Sequence, residues 1–89
     1  MNKTLEELRI EINAVDDELV KILAKRLDIV REIGKFKKEN NISPLDEKRW
    51  YEVLQRVLET AKKHNLSQNF IKKIYEEIHD VSLTIERKI

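Results

Sequence analysis

The residues of this sequence best suited to chemistry are cations spaced along one face of a predicted helix. Steps of four, three and four residues connect, in order, Arg26, Val30, Ile33 and Lys37. At 1.5 Å of rise per residue, Arg26 and Lys37 lie about 16 Å apart along the helix, so their long side chains could grip one small anion. The spacing therefore predicts a cationic pocket that binds a di-anion.

Four further polar residues could line the same pocket, although each also has a simpler explanation. Asp46 and Arg49 lie near the start of a second predicted helix, where Asp46 would cap the helix and Arg49 would be a solvated surface charge. Ser82 and Glu86 lie one turn apart on a third predicted helix and face either a shared cavity or water. The residues alone leave these alternatives open.

Composition excludes several classes of site. The chain has no cysteine, one glycine and two histidines without metal-binding spacing, which excludes thiolate zinc sites, cysteine nucleophiles and glycine-rich phosphate loops. We therefore expect no metal and no cofactor. With 18 Lys and Arg against 17 Asp and Glu, the net charge of +1 argues against nucleic-acid binding. Because no long apolar run or apolar leader is present, we expect a cytoplasmic protein without a membrane partner.

Three helices are predicted to position the candidate residues. One glycine and one proline in 89 residues, with apolar residues at helical spacing nearly throughout, predict an all-α fold with a single domain over residues 1–89. The helices are predicted at about Thr4–Glu39, Asp46–Lys63 and Gln68–Arg87. A residue suited to helix capping stands at or just before each start.

The long first helix carries a continuous apolar stripe. Alternating steps of three and four residues, typical of a coiled-coil seam, connect ten positions, of which nine are apolar. These nine positions, which we call the apolar seam, are Leu5, Leu8, Ile12, Val15, Leu19, Ile22, Ile29, Ile33 and Phe36. The tenth is Arg26, which needs a partner because an unpaired buried charge is costly. Three interpretations stay open: Arg26 pairs with Asp28 or Glu32, it extends out of the seam into water, or it binds an anionic ligand.

The length of the first helix predicts a dimer. A helix of about 36 residues is roughly 54 Å long, whereas a compact globule of this size is only about 30 Å across. The helix must overhang its own domain, and a second copy of the chain is the simplest cover for the apolar seam. Arg9 lies roughly 25 Å before Arg26 along the helix. In an antiparallel homodimer, Arg9 of one chain could therefore approach Arg26 and Lys37 of the other.

The order of short motifs along the chain resembles one family. The motifs are L-R-x-x-I-x-x-x-D (Leu8 to Asp16), L-x-x-R (Leu23 to Arg26), G-K-x-K (Gly34 to Lys37), P-x-D-x-x-R (Pro44 to Arg49), K-x-H-x-L (Lys62 to Leu66) and Ser82 in the last helix. With this order and length, the chain resembles the all-helical chorismate mutases, the AroQ class. The resemblance implies an intertwined helical homodimer that converts chorismate to prephenate by a pericyclic rearrangement.

The resemblance also implies which residues hold the carboxylates of the substrate. Arg26 and Arg49 should bind carboxylates, and Ser82 should assist at one of them. Arg9 should be the arginine that each active site borrows from the neighbouring chain. The reaction needs no nucleophile, proton transfer or metal, so the enzyme must hold the reactive conformation and stabilise the negative charge that develops on the ether oxygen.

The remaining implied roles concern the ether oxygen and the ring hydroxyl. Lys37 and Glu86 are the expected donors to the ether oxygen, and Asp46 should meet the hydroxyl. Many relatives carry Gln where this chain has Glu86. A carboxylate at this position would repel the ether oxygen, whereas a protonated acid can donate a hydrogen bond to it. We therefore expect a faster reaction in mild acid. Many relatives also carry a hydroxyl-binding Glu where this chain has Trp50, which we interpret as a packing residue.

Two alternative functions stay open at this point. One is a lyase of the same fold that removes pyruvate from isochorismate with a similar cationic pocket. Asp46, an acid suited to the hydroxyl of chorismate, favours the mutase over this lyase. The other is a non-catalytic helical dimerisation module, which the single Arg26 in an otherwise apolar stripe argues against.

Overall fold

The computed structural model describes residues 2–89 and contains three α-helices and no strand in that range. The helices are α1, Leu5–Glu39; α2, Glu47–Lys63; and α3, Gln68–Arg87. The predicted all-α fold with a long N-terminal helix is therefore confirmed. Two predicted starts were one residue early, because Thr4 and Asp46 have extended backbones and cap the helices from outside.

Each helix begins at a side chain that accepts a hydrogen bond from the first turn. Thr4 Oγ1 accepts from the backbone N–H of residue 7 at 3.1 Å, Asp46 Oδ1 from that of residue 49 at 3.0 Å, and Ser67 Oγ from that of residue 70 at 3.2 Å. Such caps satisfy backbone donors that have no partner inside the helix. The capping residues thus fix where α1, α2 and α3 start.

The first two helices end in the same way. Asn41 and Asn65 both have a φ of 57°, the left-handed conformation that asparagine tolerates better than most residues. The next backbone N–H in each case, that of Ile42 or Leu66, donates to a carbonyl five residues earlier, at 2.8 and 2.9 Å. This Schellman arrangement stops each helix abruptly and turns the chain. The first turn brings the start of α2 near Lys37.

Helix α3 packs against both α1 and α2. The buried apolar core is small and consists of Val30, Val53, Val57 and Ala61. On α1 the buried residues are Val30 and Gly34, neither of which belongs to the apolar seam. The face of α1 that packs on α3 is thus distinct from its seam.

The apolar seam is exposed along its whole length in the single chain. All nine of its side chains are between 44% and 62% accessible. The molecule measures 59 × 24 × 15 Å and has a radius of gyration of 16.7 Å, whereas a compact chain of this length would have about 12 Å. The overhang predicted from the length of α1 is present, and the apolar stripe that it carries has no cover within the chain.

Across residues 2–89, none of the three helices combines the length and the apolar character that crossing a bilayer requires.

Candidate active site

The three helices line a cavity of about 270 Å³ that is partly open to solvent. Its lining includes six of the seven candidate residues from the sequence: Arg26, Lys37, Asp46, Arg49, Ser82 and Glu86. The remaining lining residues are Val30, Ile33, Pro44, Trp50, Val53, His79 and Leu83. The face of α1 predicted from the spacing of its two cations therefore forms one wall.

Lys37 and Glu86 form an ion pair at one end of the cavity. The Lys37 Nζ atom lies 2.8 Å from Glu86 Oε1 and donates a hydrogen bond of 2.6 Å to the backbone oxygen of Pro44. Their side chains are only 18% and 9% accessible. Glu86 Oε1 is buried and, within residues 2–89, has no hydrogen bond of good geometry, although it touches the ammonium. The pair therefore places a cation and an incompletely satisfied carboxyl oxygen against the cavity.

Glycine at position 34 allows α3 to approach α1 closely beside this pair. A Cβ atom built on Gly34 would lie 2.5 Å from Ile89 Cδ1, 3.3 Å from Glu86 Cγ and 3.4 Å from Glu86 Cα. Any side chain larger than hydrogen would thus press on the helical turn that carries Glu86. Gly34 sets how close Glu86 lies to Lys37.

Arg26 is held against α3 by Ser82. Its Nη1 donates to Ser82 Oγ at 3.2 Å, and Ser82 in turn donates to the carbonyl of Ile78 at 2.7 Å. The guanidinium also lies 5.8 Å from the ring centroid of Tyr75, within the range of a cation–π interaction. Neither Asp28 nor Glu32 pairs with Arg26, and Asp28 instead accepts a hydrogen bond of 2.9 Å from Arg31. The guanidinium is therefore oriented by neutral groups, and its positive charge is available to an anionic ligand.

Asp46 and Arg49 enter the cavity from the first turn of α2. Asp46 caps this helix, as the simpler explanation of the sequence predicted, and still lines the cavity. The Arg49 side chain is 60% exposed and lies 3.8 Å from Glu52, an ion pair that contributes little at the surface. Both residues are available to a ligand without breaking a strong internal contact.

Two aromatic residues line the cavity although the sequence did not predict them as part of the site. Trp50 and His79 stack with their ring centroids 4.1 Å apart and their planes at 10°. Trp50 does pack, as predicted, but it packs inside the cavity. A signal for His79 was present in the sequence, because it precedes Ser82 by three residues and Glu86 by seven on the same helical face.

Arg9 does not line this cavity. It lies on the exposed N-terminal half of α1, in the part of the helix that overhangs the domain. Its expected role across a dimer interface stays a prediction.

The charges of the cavity suit a small anion. Three cations, Arg26, Lys37 and Arg49, face two carboxylates, Asp46 and Glu86, which leaves one net positive charge from a single chain. Donors held in place in a partly dry cavity stabilise negative charge better than water does. The arrangement can bind a small acid and stabilise charge that develops on it.

Comparison with known proteins agrees with this geometry. The family model described as chorismate mutase type II matches residues 8–87. The chain belongs to this family. It is 34% identical over 88 residues to the bifunctional chorismate mutase/prephenate dehydratase of Buchnera aphidicola, a match that covers 99% of this chain and 23% of that protein. The corresponding protein of Aquifex aeolicus is 31% identical over 88 residues, 96% of this chain and 24% of that protein.

Two relatives of similar length also match this chorismate mutase family member. The chorismate mutase of Methanocaldococcus jannaschii is 23% identical over 88 residues, which are 99% of this chain and 89% of that protein. A solved structure, a conserved hypothetical protein from Pyrococcus furiosus, superposes with a TM-score of 0.73 at 37% identity and covers 97% of this chain and 99% of that one. By contrast, the chain spans about a quarter of the length of the bifunctional relatives. A single domain over residues 1–89 stays a prediction.

Proposed function

We propose that this chain is a chorismate mutase, which rearranges chorismate to prephenate in the biosynthesis of phenylalanine and tyrosine. The observation that carries the proposal is the cavity of a chorismate mutase family fold lined by Arg26, Lys37, Ser82 and Glu86 together with the first turn of α2. Chorismate is a small di-acid with a hydroxyl and an ether oxygen, and these residues match each group. The cytoplasmic location expected from the sequence accompanies this proposal.

The cations of the cavity would hold chorismate in the conformation that reacts. Arg26 and Arg49 bind the two carboxylates, and Ser82, which already orients Arg26, assists at one of them. Fixing the side chain over the ring removes conformational freedom that the uncatalysed reaction must otherwise lose on the way to its transition state. Asp46 meets the ring hydroxyl.

Lys37 would lower the barrier of the rearrangement itself. As the ether C–O bond breaks and the new C–C bond forms, negative charge grows on the ether oxygen. The Lys37 ammonium, already held by Pro44 and Glu86, can donate to that oxygen without reorganising. Glu86 in its protonated form would be the second donor.

We also propose that the functional unit is a homodimer in which Arg9 of the partner chain completes each cavity. The exposed apolar seam supports a second copy, because a monomer rarely leaves so long an apolar stripe in water. Arg9 adds a further cation to a cavity whose own chain supplies one net positive charge for a substrate with two negative charges.

The test is to incubate the protein with chorismate and follow both the loss of chorismate and the identity of the product. Prephenate is the expected product. Lys37→Ala should lower kcat about 100- to 1000-fold, the usual effect of removing one such donor. The matched control is Lys35→Ala, an exposed cation two residues away that should leave kcat unchanged. Release of pyruvate from isochorismate without turnover of chorismate would favour the related lyase instead.

A further inference from the structure

The cavity contains two aromatic rings whose polar atoms have no partner in the protein. The side chains of Trp50 and His79, which stack on each other, make no hydrogen bond and no ion pair within residues 2–89. Every other polar side chain that lines the cavity makes at least one such contact. His79 is half-buried and lines the cavity, so its unpaired imidazole nitrogens are free to bind a ligand there.

The other lining groups leave the substrate hydroxyl with few partners. Arginine and lysine only donate hydrogen bonds, so they suit carboxylates, whereas a hydroxyl group both donates and accepts. Ser82 Oγ already accepts from Arg26 and donates to the chain, and Glu86 is paired with Lys37. A neutral imidazole offers one donor and one acceptor and therefore fits a hydroxyl group.

The stack lies on the same side of the cavity as Asp46. Trp50 follows Asp46 by one helical turn on α2, and His79 lies directly against the Trp50 ring. On α3, His79 lies two turns, roughly 10 Å, before Glu86, at a distance from the ether-oxygen end of the cavity. A group bound by Asp46 could therefore also meet His79.

We propose that His79 hydrogen-bonds the ring hydroxyl of the substrate, beside Asp46, and that Trp50 is a positioning residue that holds the imidazole plane. The inference rests on the proposed function, and it adds a substrate contact formed by two residues of different helices. A ring fixed by a parallel neighbour at 4.1 Å keeps its nitrogens pointed in the plane of the stack, which gives the hydrogen bond a fixed direction.

The test compares chorismate with an analogue that carries hydrogen in place of the ring hydroxyl. His79→Phe keeps a ring to stack on Trp50 but removes both nitrogens. We expect kcat/KM for chorismate to fall about tenfold, the effect of one lost hydrogen bond. For the analogue, kcat/KM should stay unchanged, since the wild-type protein makes no such bond with it.

The control is His64→Phe, which changes the other histidine, outside this cavity. It should leave kcat/KM unchanged for both chorismate and the analogue. An equal loss with both substrates, or no loss with either, would overturn the role of His79. If His79→Phe fails to fold by circular dichroism, His79→Asn, which keeps a donor and an acceptor, provides the comparison: it should retain the preference for the hydroxylated substrate. Failure of the wild-type protein to form prephenate would instead refute the proposed function.

Trp50 requires a separate measurement because it acts through His79. Trp50→Leu should reduce the preference for chorismate over the analogue to the value of His79→Phe. Combining the two changes should reduce it no further, since both remove one hydrogen bond. An additive loss in the double variant, or a fall in kcat/KM for both substrates alike, would show that Trp50 only shapes the cavity.

Discussion

In the ion pair of Lys37 and Glu86, a charged Glu86 opposes the role expected of Lys37. Lys37 must offer its ammonium to an oxygen that becomes negative, yet a charged Glu86 at 2.8 Å competes for that ammonium and repels the same oxygen. Protonating Glu86 removes both effects and turns the side chain into a donor. The protonation of one carboxyl group therefore controls two donors at once.

We predict that Glu86→Gln raises kcat/KM for chorismate at neutral pH. A glutamine amide can donate a hydrogen bond to the ether oxygen, whereas a carboxylate at this position repels that oxygen and competes for the Lys37 ammonium. Initial rates of chorismate consumption by the two proteins at one neutral pH measure the effect.

An unchanged or lower kcat/KM in Glu86→Gln would contradict the expected repulsion between the Glu86 carboxylate and the ether oxygen.

At the residue scale, the sequence pointed to the charged lining but not to the aromatic stack. Arg26 and Lys37 were predictable because helical spacing alone puts them on one face. The stacking of Trp50 on His79 was not predictable, since this contact joins two helices and depends on how α2 packs on α3. No pattern within either helix encodes that distance.

At the scale of the elements, Gly34 is where two helices come close enough to form the site. The Cβ positions described above show that α3 contacts the bare backbone of α1 at this point. A glycine inside a helix costs about 1 kcal/mol relative to alanine, so a gain elsewhere must offset it. The close approach, which brings the last turn of α3 and its Glu86 to Lys37, supplies that gain.

We predict that Gly34→Ala impairs catalysis more than it impairs stability. Better helix propensity offsets part of the overpacking, so the melting temperature should change by only a few degrees. The turn carrying Glu86 must shift by a few tenths of an ångström, and kcat should fall about tenfold because donor geometry is sensitive to such shifts. Thermal melts and chorismate kinetics measure the two effects.

The double variant Gly34→Ala with Ile89→Ala separates the two contacts of the new methyl group. It removes the 2.5 Å contact with Ile89 and keeps the contact with Glu86. The loss of kcat should persist. Full recovery would mean that the flexible end of Ile89, and not the position of Glu86, limits the rate.

The helix boundaries were predictable to within one residue because capping is local. Thr4, Asp46 and Ser67 each accept a bond from a residue three positions later, which a sequence displays directly. The division of α1 into faces was less predictable. Its apolar stripe is so regular that the pattern does not reveal that α3 packs elsewhere, on Val30 and Gly34.

At the scale of the whole molecule, the exposed apolar seam bears on whether the protein is a monomer or a dimer in solution. Nine large apolar side chains in a row are a poor surface for a single chain, because removing apolar area from water is favourable. A second α1 packed along the seam would bury them without changing the fold of either chain. The proposed dimer interface and the cavity would thus share one helix.

We predict that Ile22→Glu separates the dimer and abolishes activity while the chain stays helical. Ile22 is 61% exposed in the single chain and lies near the middle of the seam, so its change affects only the interface. Sedimentation should show half the mass of the wild type. The control, Lys21→Glu, changes the neighbouring residue, which lies off the seam, and should remain dimeric. A fully active monomer would refute the dimer proposal.

Mixed dimers test whether Arg9 acts across the interface. Arg9→Ala and Lys37→Ala should each be nearly inactive. Refolding them together pairs half of the chains with the other variant, and each mixed dimer then holds one cavity with both residues intact and one with neither. About a quarter of the wild-type activity should return, because cavities in a two-fold dimer share residues reciprocally.

A second mixture makes the result specific to Arg9. Arg26 and Lys37 line the same cavity of the same chain, so refolding Arg26→Ala with Lys37→Ala leaves one defect in every cavity of a mixed dimer. That mixture should recover nothing. Recovery in the first mixture but not in the second requires Arg9 to come from the other chain, since no arrangement within one chain restores a cavity. No recovery in either mixture would mean that Arg9 acts in the cavity of its own chain, and it would overturn the proposed exchange of Arg9 between chains.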